Sequence, residues 1–300
     1  MKKNKFVFLI LHYLTFDETV KCVDSIKKMC ENQNYEILIV DNASTNKTGK
    51  KLEEKYKNDN VVTVLLSNEN LGFANGNNLG FKYAKENMNP DFIVMLNNDT
   101  YLLDKCFCEL VLEEYELSNF DVLGPRILMT NNRVCDFYDK KLSTKEIKRK
   151  INLLNVEKIF NYLFLHKVFV YFRFFVEIIK KIFMSKKIYK VDTSIRKENV
   201  VLQGCFLIFS KNYINKFDGI DDRTFLYNEE QLLYIRLEKN KMKSVYNPFI
   251  IIYHNENSST NAAIKFSRKR NKFVIENELK SSKILLDELM GDEKYDKKNK

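Results

Sequence analysis

The chain has 300 residues, 45% hydrophobic and 30% charged, with a formal net charge of +10. This composition suits one large α/β domain or two small ones with ample core, and it excludes both a disordered chain and an integral membrane bundle. Eight glycines and three prolines favour long regular elements, and between Lys140 and Lys190 fourteen basic residues stand against three acidic ones. That segment's net of +11 leaves the remainder close to neutral, so the basic character describes the segment's partner rather than the whole body's.

The N-terminal Lys2-Lys3-Asn4-Lys5 and the apolar run Phe6–Leu11 have the charge order of a signal peptide. The run is short, His12, Asp17 and Glu18 follow it, and no small-residue cleavage site does. It is read as a first strand and the protein as cytoplasmic. Six cysteines (22, 30, 106, 108, 135 and 205) fit that compartment as thiols. Cys106 and Cys108, two apart on a predicted helix, point to different faces and make a poor metal pair.

From there strand and helix alternate. Glu18–Met29 is predicted helical, with Val20, Val23 and Ile26 on one face and Asp17 as its cap; Tyr35–Val40 is a strand ending in Asp41-Asn42-Ala43-Ser44-Thr45. A polar helix over Lys47–Tyr56, a strand over Val61–Leu66 and a helix over Phe73–Glu86 follow. Phe92–Leu96 reads as a strand buried on both faces, Leu103–Leu117 as a helix, and Asp121–Leu123 as a short strand. Repeated β-α-β-α of this kind predicts a doubly wound, mostly parallel sheet.

The strand at Phe92–Leu96 stops at Asn97-Asn98-Asp99. Ligands of open α/β sheets collect beyond the carboxyl ends of strands, and a carboxylate there suits a hard divalent cation and hence a phosphorylated ligand. On these residues alone a turn that caps the next helix is an equal reading. A second strand ending in a carboxylate, at Asp41, strengthens the first reading for both. In Asn70-Leu71-Gly72-Phe73-Ala74-Asn75-Gly76-Asn77-Asn78-Leu79-Gly80 the glycines recur every four residues, which matches neither a dinucleotide fingerprint nor a phosphate loop. The spacing favours close packing of a helix on a sheet, with backbone approach to a nucleotide or sugar as the alternative.

Taken together these stretches resemble the family 2 glycosyltransferases, in particular the bacterial rhamnosyltransferase-like branch. Val40–Thr45 resembles the family's donor motif, Asn70–Gly80 its glycine- and asparagine-rich motif nearly letter for letter, and Leu96–Thr100 its counterpart of a metal-binding D-x-D segment, with Asn98 in place of proline. The resemblance continues through Val122–Arg126, Gly204–Ile208, Phe217–Asp221 and Phe225–Glu230 and ends near His254, covering roughly 190 residues.

The resemblance implies a GT-A fold: a Rossmann-like, mostly parallel sheet flanked by helices. It implies a donor site of Asp41, Asn42, Ser44, Asn70, Gly72, Asn77, Asn97 and Asn98, with Asp99 and His254 as ligands of Mg²⁺ or Mn²⁺. The catalytic base is expected at Glu230, one methylene longer than the family's usual aspartate, with Glu229 as the competing assignment. Without the resemblance the two glutamates read as N-terminal helix charges favoured by the macrodipole. His12 stands where family members often have asparagine, and His166 receives no role.

Residues 138–198 match the family least and are expected to form a basic, aromatic-rich helical insertion. Ile159–Ile182 mixes Phe160, Phe164, Phe169, Phe172 and Phe175 with Lys167, Arg173, Lys180 and Lys181, too much charge for a clean membrane span. The pattern favours lying on an anionic membrane surface over an ordinary packed hairpin, and no recognition motif points to nucleic acid. The expected organisation is a nucleotide-sugar-binding half over 1–137, the insertion over 138–198, an acceptor and catalytic half over 199–260, and a C-terminal helix with a basic patch (Lys265, Arg268, Lys269, Arg270, Lys272) and tail over 261–300.

The function expected from all of this is an inverting, metal-dependent glycosyltransferase at the inner membrane face. It would move a hexose or deoxyhexose from a nucleotide diphosphate sugar to a lipid-linked or cell-surface glycan. The alternative is a degenerate member that binds nucleotide or glycan as an assembly partner, motivated by Asn98 and Glu230.

Overall fold

The computed structural model describes residues 3–129, 137–171, 174, 192–255 and 268–298. By contacts the chain forms two compact units, one of Met1–Lys141 with Thr193–Ala263 and one of Leu142–Asp192 with Ile264–Lys300.

The larger unit is built on a nine-stranded sheet. Its first part alternates as expected: β1 (Lys5–His12), α1 (Phe16–Met29), β2 (Asn34–Asp41), α2 (Thr48–Tyr56), β3 (Val62–Leu66), α3 (Gly72–Asn87) and β4 (Phe92–Asn97). Then come β5 (Thr100–Leu102), α4 (Phe107–Ser118), β6 (Val122–Met129), β7 (Phe137–Tyr138), β8 (Lys197–Glu198), β9 (Val201–Leu202), β10 (Phe206–Ser210), α6 (Lys211–Lys216), α7 (Glu229–Lys239) and β11 (Ser244–His254). The strand order is β3-β2-β1-β4-β10-β6-β11-β5, with β8 also on β11, and β7 and β9 make a separate two-stranded pair. Strands β1 to β4, β6 and β11 run one way, and β10, β5 and β8 run the other.

Period-two alternation explains the layers. Phe6, Phe8 and Ile10 of β1 face one way, against Cys22, Val23 and Ile26 of α1, Leu52 of α2 and Phe107 of α4. Val7 and Leu9 face the other way, against Ala74, Phe81 and Ala84 of α3, Tyr213 of α6 and Leu233 of α7. Both faces are covered, so Phe6–Leu11 of β1, Ile37–Val40 of β2 and Phe92–Leu96 of β4 carry no polar residue until the carboxyl ends.

Three expectations change. The helix predicted from Leu103 starts at Phe107, because Thr100–Leu102 pairs antiparallel with the end of β11, a partner 150 residues away in sequence that no local pattern announces. The strand over Phe92–Leu96 is buried on both faces, yet it is parallel only to β1; its other neighbour, β10, is antiparallel. Helix α1 carries no side-chain cap from Asp17; its N-cap is Thr15.

The smaller unit pairs α5 (Thr144–Tyr162), opened by a Ser143–Glu146 capping box, with the long α8 (Arg268–Lys298). Leu154, Ile275 and Leu279 form the seam, and Lys150 pairs with Glu278 at 2.9 Å. Arg268 stacks 3.8 Å over the ring of Phe164. No helix among the described residues is long and apolar enough to cross a membrane. Cys135, Phe172, Arg173, Phe175, Lys180, Lys181 and Lys265 lie outside the described residues.

Candidate active site

Strand order places β1 between β2 and β4, with His12 in register with Asp41 and Leu11 with Asn97. The carboxyl ends of these three parallel strands meet at one edge of the sheet, the usual ligand crevice of such folds. Asp41 closes β2 with its carboxylate largely buried, accepting two long bonds (3.3 Å) from the Ser44 N–H. Burial raises its pKa, and the Ser44 bonds offset only part of that rise. A Cβ on Gly49 would fall 2.1 Å from Asp41 Oδ2, so only glycine at that point of α2 leaves room for the acid.

Asn42 spends its amide on the next loop: it donates to Asn70 Oδ1 (3.1 Å) and the Gly72 carbonyl (3.0 Å) and accepts from the Leu71 N–H (2.8 Å). Asn70 Oδ1 also accepts the Gly72 N–H. Gly72 has φ +79°, and a Cβ there would meet the Phe225 carbonyl at 2.3 Å. The adjacent Phe73 N–H donates to that carbonyl at 2.7 Å. The two later glycines behave as the spacing suggested: Cβ atoms on Gly76 and Gly80 would strike Leu11 and Leu9 of β1.

Two asparagines of the same motif, Asn75 and Asn78, have roles their sequence did not reveal. Asn78 accepts the Ile220 N–H (2.8 Å) and donates to the Ile220 carbonyl (2.9 Å), and Asn75 donates to the Asp222 carbonyl. They fasten α3 to the segment before α7. Asn77 lies inside α3, donating to the Phe73 carbonyl, with a buried Oδ1 that has no hydrogen-bond partner among the described residues.

At the end of β4, Asn98 turns toward α1: its Nδ2 donates to Thr15 Oγ1 (2.7 Å) and Thr19 Oγ1 (2.8 Å). The residue standing for the family's proline is thus held in a buried polar network. Asp99 lies 3.2 Å from His254 Nε2, and its carbonyl accepts the Asn255 N–H. Asn255 Nδ2 reaches Glu18, which also accepts the Tyr101 hydroxyl; nothing in the sequence singled Glu18 out.

The Asn97 N–H donates to the Cys205 carbonyl, and the neighbouring Gly204 N–H donates to Glu230 Oε1 at 3.3 Å. Glu230 is half-buried, whereas Glu229 is buried and accepts the Thr224 hydroxyl. Burial, then the negative charge of Glu230, pushes the Glu229 pKa up to about 7. The chain enters α7 through Tyr227 (φ 77°) and Asn228 (φ 65°), a left-handed pair of the kind that clusters at functional sites. Glu229 is thus buried, and Glu230 partly so, at the N-terminal turn of α7.

Hydrogen bonds and chain neighbours thus lead from Asp41 and Asn42 through Gly72–Phe73 to Phe225, whose neighbour Thr224 bonds Glu229, and from the Asn97–Asp99 turn through Cys205 and its neighbour Gly204 to Glu230. Asp99 and His254 supply one carboxylate and one imidazole, and no cluster of three His, Cys, Asp or Glu side chains occurs among the described residues. A carboxylate and an imidazole side by side would suit a Mg²⁺- or Mn²⁺-type ion that completes its shell with phosphate oxygens and water.

Residues 8–183 match the sequence profile of glycosyl transferase family 2. The fold is of the GT-A class: crystal structures of S. aureus TarS 1-349 superpose with TM-scores of 0.53 (complex with UDP-GlcNAc) and 0.51 (complex with UDP). The identities are 14% and 15%, over 95% and 84% of this chain and 71% and 60% of those chains. The low-salt glycan biosynthesis hexosyltransferase Agl10 of Haloferax volcanii is 28% identical over 93 residues, 31% of this chain and 28% of that relative's length. With more than half of its length matched, the chain belongs to glycosyl transferase family 2.

Proposed function

We propose that the chain is an inverting hexosyltransferase that moves a hexose or deoxyhexose from a nucleotide diphosphate sugar to a lipid-linked or cell-surface glycan. The observation that carries this reading is that two runs of hydrogen bonds and chain neighbours, from Asp41 to Glu229 and from Asp99 to Glu230, tie the glutamate pair to the carboxyl ends of β2 and β4. The UDP and UDP-GlcNAc of the S. aureus relatives support a nucleotide-sugar donor, and the Haloferax relative supports hexosyl transfer.

In this reading residues 1–137 bind the donor and 199–260 the acceptor. Asp41 meets the nucleoside, with Asn42, Ser44, Asn70, Gly72, Asn77, Asn97 and Asn98 shaping the pocket around it. Asp99 and His254 would hold Mg²⁺ or Mn²⁺, which supplies positive charge to the diphosphate leaving group. An acceptor hydroxyl attacks the anomeric carbon from the face opposite the diphosphate; the new C–O bond forms as the bond to the diphosphate breaks. The half-exposed carboxylate of Glu230 takes the hydroxyl proton. Glu229, poised near neutrality beside it, positions the base; environments that separate two neighbouring carboxylates assign their roles.

The protein works at the cytoplasmic face of the plasma membrane, against anionic lipid. The basic segment at 140–190 and the exposed Tyr162, Phe164 and Tyr171 favour this. Thermal stabilisation by a panel of nucleotide sugars, with and without Mn²⁺, tests the whole reading: at least one should raise the melting temperature, more so with metal. No stabilisation by any of them would overturn it.

A further inference from the structure

His12 ends β1 with no exposed surface, and burial lowers its pKa to about 4, so the ring is neutral. Its Nδ1 lies 2.6 Å from Thr19 Oγ1 of α1 and its Nε2 2.9 Å from Thr48 Oγ1 of α2, with Asp41 Oδ1 at 3.8 Å from Nε2. The surrounding bonds fix the direction of each proton. Asn46 Nδ2 donates to the Leu14 carbonyl, so Asn46 Oδ1 is an acceptor, and it receives the Thr48 hydroxyl at 2.6 Å. Thr48 Oγ1 must then accept from His12 Nε2–H. A neutral ring leaves Nδ1 as an acceptor, which takes the Thr19 hydroxyl; the competing acceptor, the Thr15 carbonyl, is farther off at 3.2 Å. Thr19 Oγ1 itself accepts from Asn98 Nδ2.

One unbroken chain of donors and acceptors results: Asn98 to Thr19, Thr19 to His12, His12 to Thr48, Thr48 to Asn46, Asn46 to Leu14. It runs from the residue before Asp99, through Asn46 and Thr48 of the segment after Asp41, to Leu14 in the loop after β1. Leu14 returns to that loop by donating its N–H to Ser44 Oγ (2.9 Å), and Ser44 N–H is what reaches Asp41.

We infer that His12 is a positioning residue for donor binding, its neutral Nε2–H imidazole fixing as one unit the Asp41–Thr48 loop and the Asn98–Asp99 turn. The inference rests on the donor site proposed above. It also gives a reason for histidine where asparagine would be the family-like residue. An asparagine amide ends where the imidazole's Nδ1 lies and can meet Thr19, but it stops short of Thr48 and leaves a buried hydroxyl acceptor unmet. Buried polar chains of this kind rigidify only when every member is satisfied.

The test has two arms on the full chain. Long-range ¹H–¹⁵N spectra of ¹⁵N-histidine-labelled protein at neutral pH are expected to show His12 as the neutral Nε2–H tautomer, with its Nε2 resonance displaced by Thr48→Val. A charged ring or the Nδ1–H tautomer overturns the proton order on which the inference stands. Calorimetric titration with uridine, guanosine and thymidine diphosphates plus Mn²⁺ forms the second arm. His12→Asn and Thr48→Val should each weaken the nucleotide that binds by about tenfold, and Thr48→Ser should restore it. Wild-type affinity in folded His12→Asn and Thr48→Val proteins overturns positioning; if His12→Asn does not fold, Thr48→Val with Thr19→Val decides. A wild type that binds none of the three nucleotides counts against the proposed donor site, and the tautomer arm still judges the chain of bonds.

Discussion

His254 Nε2 lies 3.2 Å from Asp99 Oδ1, although 155 residues separate them in sequence. The contact follows from strand pairing: His254 is in register with Thr100 across the β11–β5 pair, so the residue just before Thr100 is delivered to the imidazole. Replacing Asp99 by asparagine should keep the fold and abolish the dependence of nucleotide binding on Mn²⁺. His254→Ala should weaken that dependence less, by one ligand of the pair. Calorimetric titration with and without metal measures both, and an unchanged metal dependence in Asp99→Asn would remove the residue from the site.

For the glutamate pair, Glu230→Gln should lower turnover by about a thousandfold while leaving donor affinity intact, because only acceptor deprotonation is lost. Glu229→Gln should cost less, and it should shift the pH profile, since a group titrating near 7 is removed. Steady-state rates from pH 5 to 9 decide. A reversed order would make Glu229 the base, and full activity in both would end the catalytic reading of the pair.

Stability between pH 4 and 7 should depend on two buried groups of opposite sign. The folded-state pKa of His12 is about 4, below its usual 6.5, so the unfolded chain takes up a proton first and stability falls as pH drops from 6.5 toward 4. For Glu229 the folded pKa of about 7 exceeds its usual 4.5, so the folded chain takes up the proton and stability rises as pH drops from 7 to 4.5. Each is worth on the order of 3 kcal/mol, and in wild type they nearly cancel. Urea unfolding of His12→Asn should therefore show stability rising toward acid relative to wild type, and Glu229→Gln the opposite trend. Parallel pH profiles for all three proteins would refute this account.

Gly219, at φ +141°, leaves a Cβ position only 2.1 Å from Asn78 Oδ1. Gly219→Ala should cost about 2 kcal/mol through backbone strain and collision. Asn78→Ala, which deletes both bonds to Ile220, should cost a similar amount. Because Asn78→Ala also removes the side chain that a Cβ at 219 would strike, the double variant should lose clearly less than the sum, as a denaturation-based double-mutant cycle would measure.

The basic segment should carry the protein to anionic vesicles in a salt-sensitive way. Co-sedimentation with phosphatidylserine-containing vesicles should fall steeply as the Debye length shortens from about 10 Å toward 3 Å. It should also fall when Lys180, Lys181, Lys186 and Lys187 become glutamate or when Tyr162, Phe164 and Tyr171 become serine. Equal sedimentation of all variants with anionic and neutral vesicles would leave an ordinary helical unit.

The sequence by itself determined the alternating β1-to-β4 half, because strands buried on both faces must read as unbroken apolar runs, and it located Asp41 and Asp99 as the polar residues where those runs stop. It also carried the family resemblance, since motifs such as Asn70–Gly80 are contiguous. Only the tertiary structure decided which contacts those motifs make. Asn75 and Asn78 bind residues 220–222, Asn98 bonds Thr15 and Thr19 at the start of α1, and His12 joins two helices that no periodicity relates. The antiparallel β10 and the short β5 were likewise invisible, because strand direction and partner depend on where distant segments close on the sheet. The same holds for the glutamates: a helix N-terminus exposes its charges by default, and it is the packing of α7 against Gly204 and Thr224 that buries Glu229 and leaves Glu230 half open.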